Sequence, residues 1–91
     1  MVEIGRLIFD ENNSEHIARH HVNEDEVEDV CSSRPLVLRG RQGRLAVFGQ
    51  TLAGRYLLII LAPRRRAAYY VITARDMTAT EKRHYRKRKG N

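Results

Sequence analysis

Ala68-Tyr69-Tyr70-Val71-Ile72-Thr73-Ala74-Arg75 runs without a break into Asp76-Met77 and then Thr78-Ala79-Thr80-Glu81. The first eight residues carry the β-branched and aromatic side chains of a strand. Thr78 and Glu81 form the Ser/Thr-x-x-Glu capping box that opens a helix. A strand passing directly into a helix sets Arg75 beside the helix N-terminus, where free backbone N–H groups and the helix dipole favour an anion. Phosphate is the expected guest. Glu81 and Tyr85 lie four apart on one helix face, so a carboxylate, a phenol and a guanidinium converge on one site. The same residues also have plain structural uses: Glu81 completes the cap, Tyr85 packs on the sheet, and Arg75 ends a strand in solvent.

Working outward, Leu36-Val37-Leu38, Leu45-Ala46-Val47-Phe48 and Arg55 to Leu61 read as three further strands. Turn signals at Gly40 to Gly43, Ala53-Gly54 and Pro63 to Arg66 are short enough for hairpins, so the sheet is expected to be an antiparallel meander of about four strands. Tyr56 to Leu61 is apolar on both parities, which suits a central strand covered on both faces or paired with another chain. Upstream, Ile4 to Phe9 reads as a short strand, and Asp10 or Asn12 caps a helix reaching about His20. Asn23, with Glu26 three residues on, caps a second helix that Arg34-Pro35 ends. The fold class is therefore α+β: one domain spanning residues 1–91, with an N-terminal strand, two helices, the meander, and a C-terminal helix whose residues 82–91 form a basic tail.

Hairpin arithmetic carries a further expectation. With the last turn centred on Arg65, facing residues sum to about 130, which sets Arg55 opposite Arg75 with Cα atoms roughly 5 Å apart. Two like charges so placed repel unless an anion sits between them. The preceding turn brings Gln50 and Thr51 beside Arg55. A one-residue slip would send the two arginines to opposite faces.

Charge is divided unevenly. Residues 1–31 hold nine acidic and two basic side chains, net −7; residues 32–91 hold fifteen basic and two acidic, net +13. Arg64-Arg65-Arg66 and Lys82 through Lys89 concentrate the positive charge, so a polyanion is the expected partner and Arg64, Arg65, Arg66, Arg83, Arg86 and Lys87 its expected contacts. A solvated helix end or a membrane-surface patch is the competing use of such a tail. The lone Cys31 excludes disulfides within the chain and falls at core spacing with Val27, pointing to a reducing compartment. The start has no signal-peptide pattern and Tyr56 to Pro63 is too short to span a bilayer, so a cytoplasmic protein without membrane contact is expected. His16 and His20 are spaced like some zinc ligands, but the intervening glutamate and a third ligand are missing, so no metal or cofactor is expected.

The order of elements resembles the RelE-like superfamily of small bacterial toxins, and within it the motifs are similar to BrnT. The matching pieces are Phe9-Asp10; Asn13 and His16-Ile17-Ala18-Arg19-His20 before Val22; Glu26-Val27; Gly49-x-Thr51; Gly54-Arg55; and Ile72-x-Ala74-Arg75 followed by Thr78, Glu81 and Tyr85. They are short but spread over nearly the whole chain. The resemblance implies a toxin of a type II toxin-antitoxin system that cleaves RNA without a metal and is held by a co-encoded, DNA-binding antitoxin, with a homodimer or a hetero-oligomer with that partner as its assembly. One departure is His20-His21-Val22, where the family usually has His-Gly-Val; the glycine suits the left-handed end of a helix, and His21 adopts it at a cost.

RNA cleavage by the adjacent 2'-hydroxyl needs a base, cations for the phosphorane and an acid for the departing oxygen. Arg75 with Arg55 suits the charge. Glu81 or His20 is the candidate base: imidazole changes charge near neutral pH, whereas a carboxylate beside arginine is made more acidic. Tyr85 would orient substrate or stack a base. The rival is a non-enzymatic module of the same fold that binds nucleic acid or a protein partner through the same arginines.

Overall fold

The computed structural model describes residues 4–89. Along the chain come β1 (Arg6–Ile8), α1 (Glu11–Ala18), α2 (Glu24–Ser32), β2 (Leu36–Arg39), a short 3-10 turn at Arg41–Gly43, β3 (Leu45–Gln50), β4 (Tyr56–Pro63), β5 (Ala68–Asp76) and α3 (Ala79–Arg88). All three α-helices open with reciprocal capping boxes: Asp10 with Asn13, Asn23 with Glu26, and Thr78 with Glu81. The chain leaves α1 through His21 at φ 60°, the left-handed conformation foreseen there.

The strands form one five-stranded sheet in the order β1-β5-β4-β3-β2. The meander is antiparallel, as expected, and β1 joins parallel to β5, making the sheet mixed. Central β4 is apolar on both parities because both faces are covered. On one face Leu57, Ile59 and Leu61 pack with Ile17 of α1 and Val27 and Val30 of α2; on the other, Leu58 packs with Tyr85 of α3 and with Met77, which lies between β5 and α3. Gly49 permits the close approach of α2, since a Cβ there would lie 3.0 Å from a Val30 methyl and 3.3 Å from Pro35.

The β4–β5 register corrects the expected arginine pair. Facing residues sum to 132 next to the turn, as in Leu61 with Val71, and to 133 beyond a bulge between Ile60 and Leu61, as in Leu58 with Arg75. Moving the sum from 130 to 132 keeps every side chain on its face. The bulge adds the one residue that reverses faces. Arg75 therefore stands opposite Leu58 on the α3 side, whereas Arg55, preceding β4, turns to the side of α1 and α2. No anion is needed between them.

Candidate functional site

Arg75 occupies the junction its sequence position suggested. Its guanidinium forks onto Glu81, Nη1 to Oε1 at 2.8 Å and Nη2 to Oε2 at 3.0 Å, and Nη1 also donates to the Asp76 carbonyl. The Thr78 N–H donates to Glu81 Oε1 at 2.8 Å, so one carboxylate both caps α3 and holds the arginine. These hydrogen bonds, chiefly those from Arg75, bring the Glu81 carboxyl down to about 2 against the opposing effect of partial burial. Tyr85 lies behind the pair, almost buried, with its ring edge-on to Tyr56 at 5.9 Å. Burial, and then the neighbouring Tyr56, raise its phenol pKa.

Around this core the cations of α3 are organised rather than loose. Arg86 lies 5.1 Å and Lys82 5.6 Å from the Tyr56 ring centroid, and Arg86 Nε donates to the Tyr56 hydroxyl. Lys82, Arg83, Arg86 and Lys87 line an open groove of about 450 Å³ along the helix. On the opposite flank of α3 a second concavity of about 330 Å³ has Leu36, Leu38 and Phe48 as its apolar wall and Glu81, His84 and Arg88 as polar members.

Arg55 is committed elsewhere. Its Nε and Nη2 hold Asp76, Nη1 holds Glu26 and the His21 carbonyl, and Nη2 also donates to the His20 carbonyl at 3.1 Å. The result ties α2, the turn after α1 and the end of β5 together. The hydrogen bond from Arg55 lowers the Asp76 pKa, and that same bond is the main cause of a raised Arg55 pKa. Gln50 and Thr51 are spent on the same turn: the Gln50 amide donates to the Gly54 carbonyl, and the buried Thr51 hydroxyl accepts from the Arg55 N–H. His20 meets Arg55 through its backbone, and its ring contacts His16 edge-on at 5.7 Å. His16 is in turn engaged by the Thr73 hydroxyl.

The expected cluster thus divides. Arg75, Glu81 and Tyr85 are together with Arg83, Arg86 and Lys87 on the α3 side; Arg55, His20, Gln50 and Thr51 belong to the other face or to a turn. Arg64, Arg65 and Arg66 sit in the β4–β5 turn, at the end of β5 remote from Arg75, where Arg64 stacks over Tyr70. Among the described residues, no group of three or more His, Cys, Asp or Glu side chains is arranged to hold a metal ion. No helix among them is long and apolar enough to cross a membrane.

The fold has a solved counterpart. The crystal structure of the Brucella abortus ribonuclease toxin BrnT matches with a TM-score of 0.64, covering 81% of this chain and 99% of that one at 24% identity. The chain has the BrnT fold. No protein-family model matches it, and the search of curated proteins returns no significant match.

His84 is the residue the sequence reading left in the basic tail. It stands three residues after Glu81, one turn along α3, and faces the same concavity. The i, i+3 spacing from the capping glutamate was the available signal.

Proposed function

We propose that the chain is an endoribonuclease toxin of the BrnT type, cutting single-stranded RNA without a metal and restrained by a co-encoded protein partner. The observation that carries this reading is the Arg75 fork on Glu81 at the start of a helix lined with cations. A phosphodiester presents two oxygens in much the same geometry as a carboxylate, so RNA can take the fork from Glu81. Glu81 then loses the partner that holds its carboxyl near 2, and its affinity for a proton rises as the substrate arrives.

The freed Glu81 accepts the proton of the 2'-hydroxyl. That oxygen attacks phosphorus, the bond to the 5'-oxygen breaks, and a 2',3'-cyclic phosphate forms. Arg75 offsets the charge on the phosphorane. His84, one turn further along α3 on the same concavity, protonates the departing 5'-oxygen. Tyr85 stays neutral and orients the substrate.

A second reading is a nucleic-acid-binding module without catalysis. It is favoured by the resting state of the same groups: Glu81 is too acidic for a base near pH 7, and the raised Tyr85 phenol is a weak acid. Incubating the pure protein with single-stranded RNA in EDTA separates the two. Fragments with 2',3'-cyclic phosphate ends support the toxin, and intact RNA in a stable complex supports the module. Expression in bacteria tests the partner: growth should stop with the chain alone and recover when the neighbouring gene is co-expressed. An acidic segment laid along α3 is the expected means of inhibition.

A further inference from the structure

The concavity between α3 and the edge of the sheet supplies Glu81 and His84 to the phosphate chemistry above, and its apolar wall has no part in that chemistry. Its wall is Leu36 and Leu38 of β2 and Phe48 of β3, and Leu38 is 39% exposed. Its other side is α3, with Glu81, His84 and Arg88. Glu81 belongs both to this concavity and to the Arg75 pair, so whatever enters lies next to the anion held there. An apolar aromatic wall flanked by Arg88 and by the Arg75–Glu81 pair suits a ligand that is itself a flat apolar ring attached to a phosphate able to take the Arg75 fork.

We propose that this concavity is a nucleobase site, receiving the base of the nucleotide next to the phosphate bound at Arg75, with Phe48 and Leu38 as the surface the ring lies against. The occupant follows from charge as well as shape. The residues from 32 onward carry net +13, and a single-stranded nucleic acid is the partner that brings apolar rings and negative charge in one chain. An acidic protein segment also brings charge, but its apolar side chains are placed independently of its carboxylates. A volume of about 330 Å³ accommodates one base and part of its ribose, so the site reads a single nucleotide. Such a subsite would hold the ribose of the scissile step near Glu81. It rests on the phosphate-binding part of the proposed function but needs no cleavage.

The test is NMR titration of the full chain, observing the Leu36 and Leu38 methyls and the Phe48 ring. The probes are the four nucleoside 3',5'-bisphosphates and the base-free ribose 3,5-bisphosphate. Nucleotides should produce ring-current shifts at Leu38 and bind roughly 5- to 100-fold more tightly than the base-free compound, the range for one stacked base. Leu38→Asp, at a partly exposed position that tolerates a polar side chain, should reduce nucleotide affinity to the base-free level. Arg75→Ala should weaken both kinds of probe alike. Equal affinity for nucleotide and base-free probe, without shifts at Leu38, overturns the proposal even in a protein that cuts RNA. Shifts at Leu38 in a protein that leaves RNA intact retain the base site and reject the nuclease. Movement of these signals with a leucine-bearing acidic peptide but with no nucleotide assigns the concavity to a protein partner and also overturns the proposal.

Discussion

Arg55→Ala should chiefly damage the fold, not the chemistry. The Arg55 side chain is 26% exposed, and its guanidinium bridges Asp76 at 2.8 Å, Glu26 at 3.2 Å and two backbone carbonyls of the turn after α1. The Asp76 side chain is 63% exposed and regains water when its partner is removed, so that pair contributes only about 0–1 kcal/mol. The more enclosed Glu26 and the two carbonyls lose charged donors, each worth about 1.5–3 kcal/mol when sheltered and less where water reaches in. A loss of about 3 kcal/mol results, a large part of the ~5–14 kcal/mol expected of a domain this size. Thermal unfolding followed by circular dichroism should then fall by roughly 12–24 °C. Arg55→Lys should recover only part of this, because a single ammonium cannot reproduce the fork. RNA binding measured well below the lowered midpoint should change little. A midpoint within about 3 °C of the parent, on the same thermal scale, together with lost RNA binding would refute this account and return Arg55 to the phosphate site.

Three further outcomes follow from the geometry. Glu81 has its pKa lowered on folding, from an ordinary 4.5 to about 2, so its contribution to stability is present above pH 4.5 and is lost as pH falls toward 2. Glu81→Gln keeps a capping side chain but should cost about 1–2 kcal/mol at pH 7 after allowance for solvent screening. Urea midpoints of the two proteins should converge near pH 2; a constant difference across that range would contradict the ion-pair assignment. The Cys31 thiol, pushed up to about 12 by burial and by Glu28, should react with iodoacetamide at pH 8 roughly a thousandfold more slowly than an ordinary thiol and at the normal rate in denaturant. Deleting residues 86–89 should flatten the salt dependence of RNA binding, whose slope is about −0.7 per phosphate neutralised, and an unchanged slope would mean that this segment touches no phosphate.

The elements were legible where local chemistry decides them. Thr78 with Glu81 and Asn23 with Glu26 cap helices in sequence as in structure, because a capping box satisfies backbone donors within four residues. The double apolar parity of Tyr56 to Leu61 suited a strand covered on both faces or one paired with another chain, and the first of these is what the fold has. Long-range register was less accessible. The β4–β5 bulge gives no composition signal, yet it alone sends Arg75 to α3 and Arg55 to α2. The parallel pairing of Arg6–Ile8 with β5 was hidden for a related reason: three residues with no adjoining turn do not name their neighbour. At the candidate site, Arg75, Glu81 and Tyr85 could be grouped because they are close in sequence, and His84 was overlooked amid the surrounding charge. Arg55 was assigned to phosphate because its carboxylate partners, Glu26 and Asp76, lie 29 and 21 residues away.

The central claim is that the Arg75 fork, released from Glu81, stabilises a phosphorane. Single-turnover cleavage of a single-stranded RNA in EDTA, comparing the parent with folded Arg75→Ala, measures it directly. The rate should fall by roughly two to three orders of magnitude, the scale for removing a transition-state charge partner. Cleavage by the parent that Arg75→Ala leaves undiminished, or no cleavage by the parent at all, would contradict it.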